Sequence, residues 1–205
     1  MPTLSIRNQL IIGACLALLV VVTRGQHFAT LHNLPGAAWA VFFLAGVYLR
    51  PAWILPAMLA LVWGVDFLPH LLIGARSGAS LAEIVSGDIA FCLTPAYFFL
   101  LPAYGALWLA GRWYAGRHRF EWTTLLPLSA AVLAGAGACE LFSSGGFYFF
   151  SGRFAEPTVV EFGARLVKYF PGSLQSVAFY VGIAAVAHAL FGLASSASRA
   201  RNAAA

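Results

Sequence analysis

Few residues in this chain could do chemistry, and most of them sit inside apolar stretches. Cys92 lies in the run Phe91-Cys92-Leu93-Thr94-Pro95-Ala96-Tyr97, which continues through Leu100-Leu101-Pro102-Ala103-Tyr104 to Trp108. An ionised thiol is a nucleophile and a soft metal ligand. A merely packed thiol is an inert small hydrophobe. Pro-Ala-Tyr occurs twice, at 95–97 and 102–104, and on a helix a spacing of seven brings both copies near one face. Proline inside a helix removes a hydrogen bond and bends it, which membrane helices tolerate when neighbouring protein re-satisfies the freed carbonyl. The stretch reads as the start of a bent membrane helix with Cys92 at its mouth, facing a cavity. The alternative is a kinked packing helix around a buried, inert cysteine.

Two carboxylates interrupt apolar runs: Asp66 in Trp63-Gly64-Val65-Asp66-Phe67, and Glu140 beside Cys139. Intramembrane ionisable groups are costly and so mark candidate sites. Asp66 needs a partner, and Arg24, His27 or a basic residue of a later link could supply it. A binding role and a structural ion pair both remain open for it. His27, His32 and His70 fall toward the same side as Cys92, yet no pair has the H-E-x-x-H spacing of a metal-binding helix. Ser143-Ser144-Gly145-Gly146 offers the best hydroxyl nucleophiles, but Phe142 stands where a GxSG motif needs glycine. His188, the base such a site would need, lies about 16 residues into the last span, roughly 24 Å from its outer end. An intramembrane hydrolase is therefore disfavoured.

Composition sets the class. The chain has 205 residues, 61% hydrophobic and 9% charged, against roughly 25% charged in soluble domains. This is an integral membrane protein with the lipid bilayer as its solvent. The net charge of +5 comes from scattered basic residues and does not suggest nucleic acid. The three cysteines form no zinc pattern. No GxxxxGK[ST] loop is present, so no nucleotide site is expected. The apolar run Leu10–Val22 lacks a small-x-small cleavage site after it and reads as a span.

A spanning helix needs about 20 apolar residues. Six spans are expected, at about 8–24, 36–50, 52–73, 90–112, 123–143 and 172–194, forming a single all-α transmembrane domain over residues 1–205. The links alternate: long at 25–35, 74–89 and 144–171, short at 50–51 and 113–122. All three long links then fall on one side, where a rigid scaffold can position functional loops. The side with the termini and short links carries seven of the 12 Lys and Arg residues in far less chain, which predicts cytoplasmic termini. In the last link, Val159, Phe162, Leu166 and Phe170 recur at helical spacing after Glu156-Pro157, with Glu161 and Arg165 at i, i+4. A short amphipathic helix is expected there, lidding the bundle or lying at the interface. On the first span, Gly13 and Ala17 form a small-xxx-small pair, which serves close packing within this bundle or with a partner helix.

Six spans, three long outer links and a small-residue face on the first helix resemble the substrate-binding S-components of energy-coupling-factor (ECF) vitamin transporters. Within them the sequence is most similar to the BtuM type, the small vitamin B12 transporters of Gram-negative bacteria. The resemblance rests on Arg24-Gly25-Gln26-His27-Phe28, on Ala38-Trp39-Ala40-Val41-Phe42-Phe43-Leu44-Ala45-Gly46, and above all on Cys92 through Tyr97 and on to Leu107-Trp108. It covers most of the first four spans; the last two match only in character.

The resemblance implies vitamin uptake across the inner membrane, not an enzyme, though removal of cobalamin's cyanide ligand is an accessory possibility. Cobalamin would be the bound substrate, with Cys92 as axial ligand to its cobalt. The partner would be an ECF module of a transmembrane T subunit and ATPases, or none, with Gly13, Ala14 and Ala17 as the partner-helix contact. By topology, His27, Phe28, Asp66, Phe91, Tyr97, Ser143, Ser144, Phe147 and Tyr148 would surround the ligand, with Tyr169 a further wall and Gln26, Asn33 and Arg153 further polar contacts. An S-component for another vitamin, with Cys92 only structural, is the alternative. The third link, about 74–89, is longer than the family needs.

Overall fold

The computed structural model describes residues 4–24, 34–86 and 94–204. They form eight α-helices in chain order: α1 (Ile6–Arg24), α2 (Ala38–Tyr48), α3 (Ile54–Arg76), α4 (Leu81–Ser86), α5 (Pro95–Phe98), α6 (Leu100–Ala115), α7 (Leu125–Phe150) and α8 (Val159–Ala204). A single 3-10 turn, Trp122–Thr124, leads into α7. No strand occurs among the described residues. Among the described residues four segments are long and apolar enough to cross a bilayer: Ile6–Arg24, Ile54–Arg76, Trp122–Phe150 and Val159–Ser196. Large apolar side chains such as Leu126, Val160, Val167 and Phe191 are exposed on their outer faces, as expected where hydrocarbon rather than water is the solvent.

The count of six spans is not confirmed among the described residues. The second apolar stretch is helical for only 11 residues, about 16 Å against a hydrocarbon core of about 30 Å. Nine of those residues are buried. Its apolar character reflects enclosure by protein: α2 is the central post of the bundle, packed by α1, α3, α6, α7 and α8. The tightest of these contacts is with α6. A methyl on Gly46 would overlap the Trp108 carbonyl, and one on Gly111 would overlap the Phe43 carbonyl. The two glycines let the backbones touch, as small residues do between membrane helices.

The expected fourth span is also divided. Pro95 is the first residue of α5, preceded by extended Thr94, and Pro102 lies in the first turn of α6. Each proline occupies a position whose N–H needs no helical partner. The helical pattern breaks for one residue, Phe99, which itself keeps right-handed helical angles, so the interruption falls between the two prolines.

The last link is shorter than expected. α7 runs on to Phe150 through Ser143-Ser144-Gly145-Gly146, so that stretch is helix and not flexible coil. Rings fill the space over its glycines, Phe162 above Gly145 and Phe99 above Gly146. The amphipathic segment from Val159 is not a separate helix. It continues through Pro171 into the last span as one helix of 46 residues. The link is reduced to 151–158 and is closed by Tyr148, whose hydroxyl accepts from Thr158 N–H at 3.1 Å and donates to Glu161 Oε2 at 3.0 Å. Thr158 Oγ1 caps α8 by accepting from Glu161 N–H at 3.2 Å.

Candidate functional site

Arg24, the last residue of α1, reaches the middle of α3. Its Nε and Nη2 each meet a different oxygen of Asp66 at 2.7 Å. This is the two-pronged geometry in which guanidinium and carboxylate pair best. The pair is mostly enclosed, with about a fifth of each side chain exposed (21% and 20%). Both Pro-Ala-Tyr repeats converge on it. Tyr97 donates its hydroxyl to Asp66 Oδ2, and Tyr104 accepts from Arg24 Nη1 at 2.7 Å. The seven-residue spacing thus places one tyrosine on each member of the ion pair. Phe42 stacks on Tyr104 at 4.3 Å between ring centroids, while Phe67 and Trp63 flank Tyr97 at 5.3 and 5.8 Å. The result is a polar cluster of four groups from α1, α3, α5 and α6, held in an aromatic surround.

Tyr97 also faces a cavity of about 450 Å³, within the range of small-molecule sites. Thr94, Ser143, Ser144, Phe147 and Tyr148 share its walls. From α8 come Phe162, Arg165 and Tyr169, and from α2 comes Trp39. These residues sit at the N-terminal ends of α2, α5 and α8 and the C-terminal end of α7, so the cavity occupies the end of the bundle where the three expected long links gather. Arg165 lies among rings, 4.7 Å from the Phe154 centroid and 5.5 Å from that of Tyr148. Glu140, buried at 3% exposure, lines the cavity and accepts a hydrogen bond from Ser144 Oγ.

Six of the sequence-predicted ligand residues therefore line one cavity: Tyr97, Ser143, Ser144, Phe147, Tyr148 and Tyr169. Asp66 joins it through the Tyr97 hydroxyl. Cys92, His27, Phe28 and Phe91, together with Gln26 and Asn33, lie outside the described residues. Arg153 sits over the Phe147 ring, 5.7 Å from its centroid. Trp39, Phe162, Arg165 and Leu166 were not singled out as ligand contacts in the sequence. For Phe162, Arg165 and Leu166 the signal was the helical periodicity of 159–170, which reads equally as an interfacial anchor; Trp39 lies outside that stretch. Among the described residues no group of three His, Cys, Asp or Glu side chains gathers as a metal site.

A second cavity, of about 330 Å³, lies at the opposite end of the bundle. His118 and His188 meet there edge to face with centroids 5.0 Å apart, beside Tyr48 and Tyr114. Ser144 and His188 thus line different cavities, as their depths in the chain require, and the serine's hydroxyl is given to Glu140. On α1, Gly13 faces Leu49 of its own bundle and Ala17 packs onto the core, while Ala14 and Cys15 are exposed.

The fold and this site define a helical bundle of membrane-spanning character with a cavity at one end. No protein-family model matches the chain, and no curated protein matches it.

Proposed function

We propose that this chain is a vitamin-uptake protein of the bacterial inner membrane. It binds cobalamin at a cavity facing the periplasm, with the Cys92 thiolate as axial ligand to the corrin cobalt. The observation that carries this reading is the composition of the larger cavity. Thr94 and Tyr97, two and five residues beyond Cys92, line it beside Ser143, Ser144, Phe147 and Tyr148. A corrin presents a broad apolar face and a rim of carboxamides. Aromatic walls with a few hydroxyls and a carboxylate suit both. A soft thiolate is a competent cobalt ligand, and its electron donation favours loss of an opposite ligand such as cyanide.

The density of arginine at the opposite end supports cytoplasmic termini. The chain carries no nucleotide-binding loop, so any ATP use belongs to an ECF module that docks on it. Gly13 and Ala17 already serve this bundle, which leaves Ala14 and its exposed neighbours as the face of α1 open to such a partner.

The test is growth of a bacterial strain that depends on external cobalamin and lacks every other inner-membrane route for it. Expression of this chain should restore growth, and Cys92→Ala should abolish the rescue at limiting cobalamin. Equal rescue by Cys92→Ala would remove the thiolate from the mechanism. No rescue by the native chain, expressed alone or with an ECF module, would reject cobalamin uptake.

A further inference from the structure

At the C-terminal end of α2, far from the cavity beside Tyr97, the short α2–α3 link meets the last turn of α6. A third cavity opens there, of about 280 Å³. Its ionisable lining, among the described residues, is Arg50, Arg112 and Tyr48, and Leu4, Val47 and Leu49 give apolar walls. Three sets of contacts build it. Arg112 Nη2 donates to the Arg50 carbonyl, which holds the end of α6 against the link. The Arg112 guanidinium lies over the Trp108 ring, 4.4 Å from its centroid. From α1, the Gln9 side-chain amide donates to the Leu4 carbonyl and accepts from Arg50 N–H, both at 3.1 Å.

The place of this cavity along the chain gives its depth. Leu4 comes just before α1 and Arg50 just before α3, and both helices are long enough to cross a bilayer. The two arginines thus sit where spans leave hydrocarbon for the headgroup layer. Two cations sharing one cavity repel each other and gain from an oxyanion that both reach. The planar fork of a guanidinium offers a phosphate paired N–H donors. Basic pockets between membrane helices take lipid headgroups in this way. The apolar cavity that holds His118 and His188 shares Val47 and Tyr48 with this one, so apolar surface adjoins the arginines.

We propose that Arg50 and Arg112 form a binding site for a phosphate-bearing anion at this end of the bundle. The site is separate from the cobalamin reading and does not rest on it. Its chemistry is supplied by the headgroup of an anionic phospholipid or by free phosphate.

The experiment takes these two sources as separate arms, both on the full-length protein in detergent. Arg112→Gln would also remove the packing on Trp108, so the informative variant is Arg50→Gln, at an exposed position whose backbone bond to Gln9 is kept. In the lipid arm, native mass spectrometry reads competition between phosphatidylglycerol and phosphatidylcholine with identical chains. The native protein should retain more phosphatidylglycerol, and Arg50→Gln should cut that preference about fivefold. Arg119→Gln, at an arginine of the same end that lines the other cavity, should keep it. In the phosphate arm, the unfolding temperature is compared in phosphate and chloride at equal ionic strength. A gain in phosphate confined to proteins with Arg50 assigns the site to free phosphate; a lipid preference without that gain assigns it to the headgroup. Either result supports the site. Neither preference nor gain in the native protein overturns it. Effects as large in Arg50→Gln, or an equal loss in Arg119→Gln, overturn it too, since they place the attraction elsewhere or in the general charge of that end.

Discussion

Arg24 and Asp66 are 42 residues apart in the chain, yet they meet through two hydrogen bonds of 2.7 Å and join the end of α1 to the middle of α3. Tyr104 and Tyr97 then tie this pair to α6 and α5. Removing one partner strands the other in a poorly solvated place. Arg24→Ala and Asp66→Ala should each lower stability in detergent by about 2–3 kcal/mol, less than for a fully buried pair because a fifth of each side chain is exposed. The double variant should cost clearly less than the sum, with a coupling of about 1–2 kcal/mol. Additive losses in thermal unfolding would mean that the pair contributes nothing as a pair.

The contact between α2 and α6 depends on the absence of two side chains. Gly46→Val or Gly111→Val should force the helices apart, at a cost of at least about 1–3 kcal/mol. Gly64→Ala, at a glycine with open space around it, is the control and should change little. Unfolding temperatures of the three variants make the comparison.

Tyr148 closes the α7–α8 link by serving Thr158 N–H and Glu161 together. Tyr148→Phe keeps the ring and removes both bonds. It should destabilise the link by about 1–2 kcal/mol. Amide exchange over 151–165 should accelerate, with α6 unaffected. Uniform acceleration through the bundle would assign Tyr148 a global role instead.

His118 lies in the link between α6 and α7, and its pKa is pushed below the ordinary histidine value, first by burial and then by His188. A histidine depressed in the folded state adds stability that is present above its unfolded value of about 6.5 and is lost as pH falls through that value toward the folded one. Thermal stability should therefore decline on acidification below about pH 6.5, and His118→Asn should flatten that decline. An identical pH profile in the variant would place the effect elsewhere.

Part of the site is readable in the sequence for physical reasons. A lone carboxylate in an apolar run demands a partner, so Asp66 points to a basic group, with Arg24 one of the candidates. A helix brings positions seven apart together, so Pro-Ala-Tyr repeated at that interval puts two tyrosines on one face. Other features are not readable locally. Hydropathy reports an apolar surround but not whether it is lipid or protein, so it does not show that α2 is an 11-residue post enclosed by the other helices. Ser143-Ser144-Gly145-Gly146 looks flexible because glycine disfavours isolated helix, and only rings brought from α8 and the turn at Phe99 show why it is helical. Proline at 95 and 102 announces an interruption of the helix, and the structure puts it at Phe99. Cys92 itself lies outside the described residues, and its proposed role rests on the sequence and on the walls that Thr94 and Tyr97 contribute.

The most direct measurement is the visible absorption spectrum of the protein purified after growth with cobalamin. A bound corrin should appear, with a band pattern unlike free cyanocobalamin, and Cys92→Ala should lose that pattern. A colourless protein that also fails to take up added cobalamin would contradict the assignment, and a shifted spectrum that survives Cys92→Ala would contradict the thiolate ligand.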